Sequence, residues 1–286
     1  MVVQLLISGL AIGSIYALIG LALVLIHKAT EVVNFAQGEM ATLGAFIALG
    51  LLKTTGLPLP IIFLVGFPIG FLMAMFIERI VIHPLIGAPP VNLLIVAIGL
   101  FIMINNGTGW IWGYDPYTFP SLLPKNPVDL LGARISPNNL GIIGISLLLM
   151  AALYVFFEYT REGTAMRAAS MNKRAAELMG IRVPRVSTMS WALAGGISMV
   201  SGMLVAPILF LDFEMMVSVL IKAFAGAILG GFNSLPGAVL GGLTIGILEN
   251  LFGAYVSTVF KDSFAFFIII IVLMFRPTGL FSRSKA

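Results

Sequence analysis

Cysteine is missing from this 286-residue chain, and charge is scarce: only 10% of residues are Asp, Glu, Lys or Arg. The first absence excludes disulfide staples and thiolate metal sites. The second leaves too little charge to clothe a soluble surface, where about a quarter of residues are normally charged. The net charge of +4 is too diffuse to suggest nucleic acid as a partner. There are two histidines, His27 and His83, each near a predicted helix end, and no metal site is expected from them. A GxxxxGK[ST] phosphate loop is absent, so any ATP-driven step needs another chain. HExxH and Gly-x-Ser-x-Gly are absent as well, which argues against an enzyme acting within the membrane.

What fills the chain instead is apolar: 59% hydrophobic residues, with Gly 31. Lipid is the solvent that such a sequence suits, and glycine is commoner in membrane helices than in soluble ones. The N-terminal MVVQLLISGL lacks a basic n-region and a small-residue cleavage site, so it reads as a retained membrane helix. Spanning lipid takes about 20 apolar residues. On that measure helices are expected over 3–27, 34–52, 60–82, 91–113, 139–158, 187–210, 217–231, 237–258 and 263–275. The fold class is all-α: a polytopic transmembrane bundle of about eight or nine embedded helices with broken or re-entrant segments. One transmembrane domain is expected over 1–286.

Lysine and arginine orient it. Segment 159–186 holds Arg161, Arg167, Lys173, Arg174, Arg182 and Arg185 against Glu162 and Glu177, which marks the cytoplasmic side. Counting crossings puts Glu78, Arg79 and the tail RPTGLFSRSKA inside. Lys53, the Pro- and Asn-rich loop 114–138, the Lys261–Asp262 turn and the N-terminus fall outside. Trp110, Trp112, Tyr114 and Tyr117 cluster as an interfacial aromatic belt would.

The segment KRAAELMGIRVPR at 173–185 is polar and basic in a chain that is otherwise greasy. Thr164 is placed to cap a helix from Ala165, Gly180 suits its C′ position, and Pro184 bars continuation. Ala165, Ala168, Ala169, Ala175 and Ala176 keep the surface small, while Arg167, Lys173, Arg174 and Glu177 supply charge. Such a helix either receives a partner, with charge fixing its orientation, or serves only as a topology-holding loop.

Small-xxx-small pairs occur at Gly9/Gly13, Gly66/Gly70, Gly226/Gly230, Gly237/Gly241 and Gly242/Gly246, with the densest run at 226–246. They predict close helix packing there, facing a partner or a pathway. Ionisable groups at membrane depth are costly and usually face a cavity or a partner. Lys222 either pairs with Glu249 or Glu39, or snorkels to the interface. Asn34, Gln37 and Glu39 form a polar, broken start to the second helix, which suits a pathway lining or a helix cap. FNSLPG at 232–237 is a second break.

Several stretches carry a family resemblance. AAELMGIRVP at 175–184 resembles the cytoplasmic coupling motif of ABC importer permeases, a Glu-Ala-Ala-type helix with a downstream glycine that docks on an ATPase. Here the order is Ala175-Ala176-Glu177, followed by Gly180. GLAIGSIYALIGLAL (9–23), VVNFAQGEMATLGAF (32–46), ERIVIHPL (78–85), GAILGGFNSLPGAVLGG (226–242) and FRPTGLF (275–281) are similar to the permeases of branched-chain amino-acid ABC transporters. They occur in the same order over nearly the whole chain.

The resemblance implies a bacterial inner-membrane permease working with two ATPase subunits, a second homologous permease and an extracytoplasmic solute-binding protein. It implies no cofactor in this chain, ATP being used by partner subunits, and ATPase coupling through Arg167, Lys173, Arg174, Ala175, Ala176, Glu177 and Gly180. Small amino acids, branched-chain ones first, are the implied solutes, with urea or short amides as the alternative. A secondary transporter or channel is the competing class, and it would need Glu39, Lys222 or Glu249 as a coupling group.

Overall fold

A computed structural model describes residues 2–276 except 86, 124–125 and 131–132, together with 279–280. Most of the C-terminal tail expected on the cytoplasmic side, including residues 281–286, lies outside the described residues.

The first helix, α1 (Val2–Thr30), is apolar around its whole circumference and buried from Gly9 to Ile26 almost without interruption. A helix apolar on all sides belongs at the centre of a bundle. The second central helix is α8 (Val183–Leu209), buried from Ser190 to Ala206. Around this pair stand α2 (Gln37–Thr55), α3 (Leu59–Ile77), α4 (Pro90–Trp112), α5 (Pro137–Tyr159), α9 (Met215–Gly230), α10 (Leu235–Tyr255) and α11 (Phe264–Phe275). Helices α9, α10 and α5 pack on α1, α11 packs on α9, α2 and α3 pack on α8, and α4 leans on α2.

Among the described residues, six helices are long and apolar enough to cross a membrane: α1, α3 with its extension, α4, α5, α8 and α10. Helices α9 and α11 are apolar but shorter, at 16 and 12 residues. Two amphipathic helices, α6 (Arg161–Met171) and α7 (Lys173–Leu178), lie between α5 and α8. The architecture is a polytopic helical bundle.

The observed boundaries correct the expected ones at prolines. Helix α8 starts at Val183 rather than 187, because Pro184 sits in its first turn, where its missing N–H is not needed. Pro236 opens α10 in the same way. Helix α3 continues through a π-helical turn, Glu78–Ile82, and a 3-10 turn, His83–Leu85.

Contacts define two ends. At the basic end, Lys173 of α7 pairs with Glu31 at 3.0 Å. Lys28 there donates to the Asn233 carbonyl at 3.3 Å, and Leu280 donates its N–H to the Leu229 carbonyl. At the opposite end, Tyr117 and Leu211 exchange backbone hydrogen bonds. Loop 114–138 is more ordered than its composition suggests, since it holds an antiparallel hairpin of β1 (Val128–Leu130) and β2 (Ala133–Ile135). The aromatic belt is also divided: Trp110 and Tyr114 are exposed, whereas Trp112 and Tyr117 pack inward on Phe46.

Lipid tails are as apolar as leucine, so burial of apolar area does not drive helices together, and close backbone approach must. The glycines supply it. A Cβ on Gly230 would lie 1.9 Å from the Gly237 carbonyl oxygen, and one on Gly241 2.0 Å from that of Gly226. Gly242 and Gly246 of α10 meet Ala17 and Gly13 of α1 in the same manner. The 226–246 cluster is therefore a seam of α9, α10 and α1.

Candidate functional site

The second helix begins inside the bundle. After α1 ends, Glu31 turns the chain with φ +63, a conformation uncommon for a non-glycine residue. Asn34, buried, closes an Asx turn by accepting the Ala36 N–H at 3.1 Å. Its amide donates to Gln37 Oε1 at 3.0 Å. Gln37 in turn donates to the Ala194 carbonyl at 3.2 Å and to Ser198 Oγ. Ala194 is eleven residues (194 − 183) into α8, which at 1.5 Å per residue is roughly 16 Å from its basic end. The polar break thus sits near mid-depth, and its backbone is satisfied by protein, as non-helical chain there must be.

One turn on, Glu39 is buried at 1% exposure. Its Oε2 accepts from Asn105 Nδ2 of α4 at 3.1 Å, and the same amide donates to the Phe213 carbonyl at 3.2 Å. Glu39 Oε1 has no partner among the described residues. Its expected alternative pairing with Lys222 is not formed, because each has other partners.

Lys222 of α9 does not stand alone. Its ammonium donates to Glu249 Oε1 of α10 at 2.8 Å and to Asp262 Oδ1 at 2.7 Å, and Tyr16 of α1 donates to Glu249 Oε2 at 2.9 Å. Lys222 and Glu249 are buried, while Asp262, in the turn before α11, is 81% exposed. The Lys222 ammonium holds the Asp262 carboxyl below the usual carboxylate range. The cluster ties three helices and an exposed turn together at one point.

The extramembrane segment is two helices where one was expected. Thr160, and not Thr164, caps α6 by accepting the Gly163 N–H at 3.0 Å. Asn172 breaks the run and caps α7 by accepting the Ala175 N–H at 3.1 Å. Gly180, at φ +84, ends α7 as expected. Its N–H donates to the Glu177 carbonyl and that of Ile181 to the Ala176 carbonyl, the paired bonds of a Schellman ending.

Two of the charges expected to orient a partner are used within the chain, Arg167 on Glu158 and Lys173 on Glu31, and nearby Arg185 pairs with Glu162. Ala176 is buried, whereas Arg174, Ala175 and Glu177 are exposed. The signal missed in the sequence is apolar. Met171, Leu178 and Met179 are exposed at 80%, 89% and 83% on this otherwise polar segment. The visible clue was Leu-Met between Glu177 and Gly180 in a stretch too polar for lipid.

Among known proteins, the family described as "Branched-chain amino acid transport system / permease component" matches residues 5–273. The permease protein BraD of a high-affinity branched-chain amino acid transport system, from Pseudomonas aeruginosa, is 34% identical. That match covers 99% of this chain and 96% of the relative. The corresponding permease protein LivH of Escherichia coli K12 is 31% identical over 97% of this chain and 94% of its own. A probable branched-chain amino acid permease of Methanocaldococcus jannaschii is 30% identical over 94% and 89%. No solved structure matches the chain significantly.

Proposed function

Because the chain belongs to the branched-chain amino acid transport system permease family, we propose that it is the membrane subunit of an ATP-driven importer for branched-chain amino acids. In this reading two ATPase subunits dock on the α6–α7 segment, a second permease completes the pathway, and an extracytoplasmic binding protein delivers the solute. The basic end is cytoplasmic, as the positive-inside rule requires, and the N-terminus lies outside.

The observation that carries the coupling role is the exposed trio Met171, Leu178 and Met179, set on two capped helices braced by Lys173–Glu31 and Arg185–Glu162. Apolar side chains exposed together outside lipid suit a protein partner, and the two ion pairs tie the segment to the end of α1 and the start of α8. Because α7 is tied to Glu31, a push on it reaches the chain just before the polar break at Asn34, Gln37 and Glu39.

At the break, Asn34 and Gln37 are saturated by internal hydrogen bonds, which makes them a hinge support. Glu39, with one unpaired oxygen, is the group available to an ammonium on the solute once the helices part. Lys222 and Glu249 neutralise each other and act as an anchor about which α9 and α10 stay joined.

The test is reconstitution. Liposomes holding this chain, its permease partner and the ATPases, with binding protein outside, should take up leucine only with ATP inside. Uptake of urea or acetamide instead would replace the solute assignment, and gradient-driven uptake without ATPases would replace the class.

A further inference from the structure

An open groove lies on the flank of the bundle. It runs between α5 and α10 over a floor of α1, with a volume of about 580 Å³. Its walls are apolar, formed by Leu21, Leu25, Met150, Phe157, Val239 and Leu240. At the basic end its mouth carries Lys28, Arg167, Glu158 and Ser234. Arg167 and Glu158 neutralise each other. Lys28 is half-buried, and among the described residues its ammonium makes a 3.3 Å hydrogen bond to the Asn233 carbonyl and no ion pair. Ser234 Oγ accepts the Gly237 N–H, which leaves its proton free to donate. The mouth therefore has a surplus of one positive charge and an adjacent hydroxyl donor.

We propose that this groove binds an anionic phospholipid from the inner leaflet, the phosphate at Lys28 and Ser234 and an acyl chain along the α5–α10 trough. The charge and the apolar run stand in the order that a phospholipid has. Leu21 is seven positions (28 − 21) before Lys28, so the trough reaches roughly 10 Å toward mid-membrane. Basic pockets between membrane helices on the cytoplasmic side hold anionic headgroups for this reason. A protein occupant would have to present a carboxylate followed by an extended aliphatic surface, whereas lipid is present as solvent. Bound there, the lipid wedges α5 against α10 beside the α6 root, and so stiffens the base of the α6–α7 segment. The lipid site does not depend on which solute is carried.

The experiment is native mass spectrometry of the purified transporter, released from liposomes of equimolar phosphatidylglycerol and phosphatidylcholine with matched chains. The wild type should retain phosphatidylglycerol over phosphatidylcholine by roughly five-fold, the effect of one cation near a membrane surface. Lys28→Gln should bring the ratio to about one, Lys28→Arg should keep it, and Leu240→Trp should lower retention of both lipids. Melting temperatures of the variants identify any that misfold, and should Lys28→Gln be one, Lys28→Met, which keeps the apolar stem and drops the charge, carries the comparison. Equal retention by the wild type, a ratio unchanged in Lys28→Gln, or crosslinks from position 240 to a second permease chain instead of lipid would overturn the proposal.

Discussion

The Lys222 ammonium and the Glu249 carboxylate meet 2.8 Å apart where α9 crosses α10, both shielded from solvent. Neither charge is tolerable alone at this depth, and each is completed by a further group: Asp262 for the lysine and Tyr16 for the glutamate. Removing one partner of a buried pair leaves an uncompensated charge, at a cost of several kcal/mol. Glu249→Gln should therefore destabilise the folded protein by about 3 kcal/mol, the lower end of the range since Asp262 remains. Removing all three groups in Lys222→Met/Glu249→Leu/Tyr16→Phe should recover most of that loss. Thermal unfolding in detergent checks both, and a triple variant less stable than Glu249→Gln would contradict the anchor.

The glycine seam makes a sharper steric prediction. Gly237→Ala puts a methyl group 2.3 Å from the Gly230 carbonyl oxygen, backbone that has no room to move. Overpacking of this kind costs about 1–3 kcal/mol and here forces α9 from α10. Gly144→Ala in α5 meets nothing within 4 Å, and replacing helical glycine by alanine should stabilise by about 0.5–1 kcal/mol. The yield of monodisperse protein should fall for the first and hold or rise for the second.

The exposed apolar trio predicts a separation of folding from coupling. Leu178→Glu introduces charge at a position 89% exposed, so the isolated chain should melt as the wild type does. The same change on a docking surface should abolish stimulation of ATP hydrolysis by loaded binding protein. Glu177→Lys should act in the same direction. If ATPase stimulation survives both substitutions, the ATPase docks elsewhere.

Much of this bundle was legible because lipid imposes a simple code: runs of about 20 apolar residues, basic loops on one side, and glycines where helices touch. Boundaries at Pro184 and Pro236 were misread because proline both ends one helix and opens the next. The basic segment proposed for coupling reads as one helix in the sequence and is two in the structure. Asn172 sits in a run of good helix formers, and only its backbone at φ −156 shows that it caps instead of continuing. The partners of Lys222 were open between Glu249, Glu39 and the interface, since periodicity gives the face of a helix and not its neighbour. Asp262, assigned to an outer turn, was not considered as a partner because turn residues are expected to face water.

Acid should weaken the link between α9 and the turn before α11. Asp262 is the exposed end of the cluster, and its carboxyl is depressed by the Lys222 ammonium. A depressed carboxyl contributes stability above its unfolded pKa, and the contribution is lost as pH falls through the folded value. The loss therefore begins below about pH 4 and is modest, because water screens an exposed pair. Asp262→Asn should be less stable at neutral pH and should lack this acid-side loss. Parallel stability profiles for the two proteins would remove Asp262 from the cluster.

The polar break offers the clearest division between support and transport. Gln37 spends its amide on Ala194 and Ser198 and its oxygen on Asn34, so Gln37→Leu strands several buried polar groups, each costing about 1–3 kcal/mol. Its expected phenotype is poor folding, with uptake falling only in proportion to the protein recovered. Glu39 differs by one atom: Asn105 satisfies Oε2, while Oε1 has no donor among the described residues. Glu39→Gln keeps the Asn105 bond and removes a buried charge that no described cation pairs, so melting should hold or rise. A solute ammonium that met the carboxylate in transit would lose a charge-assisted bond, and uptake per folded transporter should drop roughly ten-fold or more. Should Glu39→Gln carry leucine at the wild-type rate, Glu39 belongs with Gln37 among the supports, and the solute passes elsewhere.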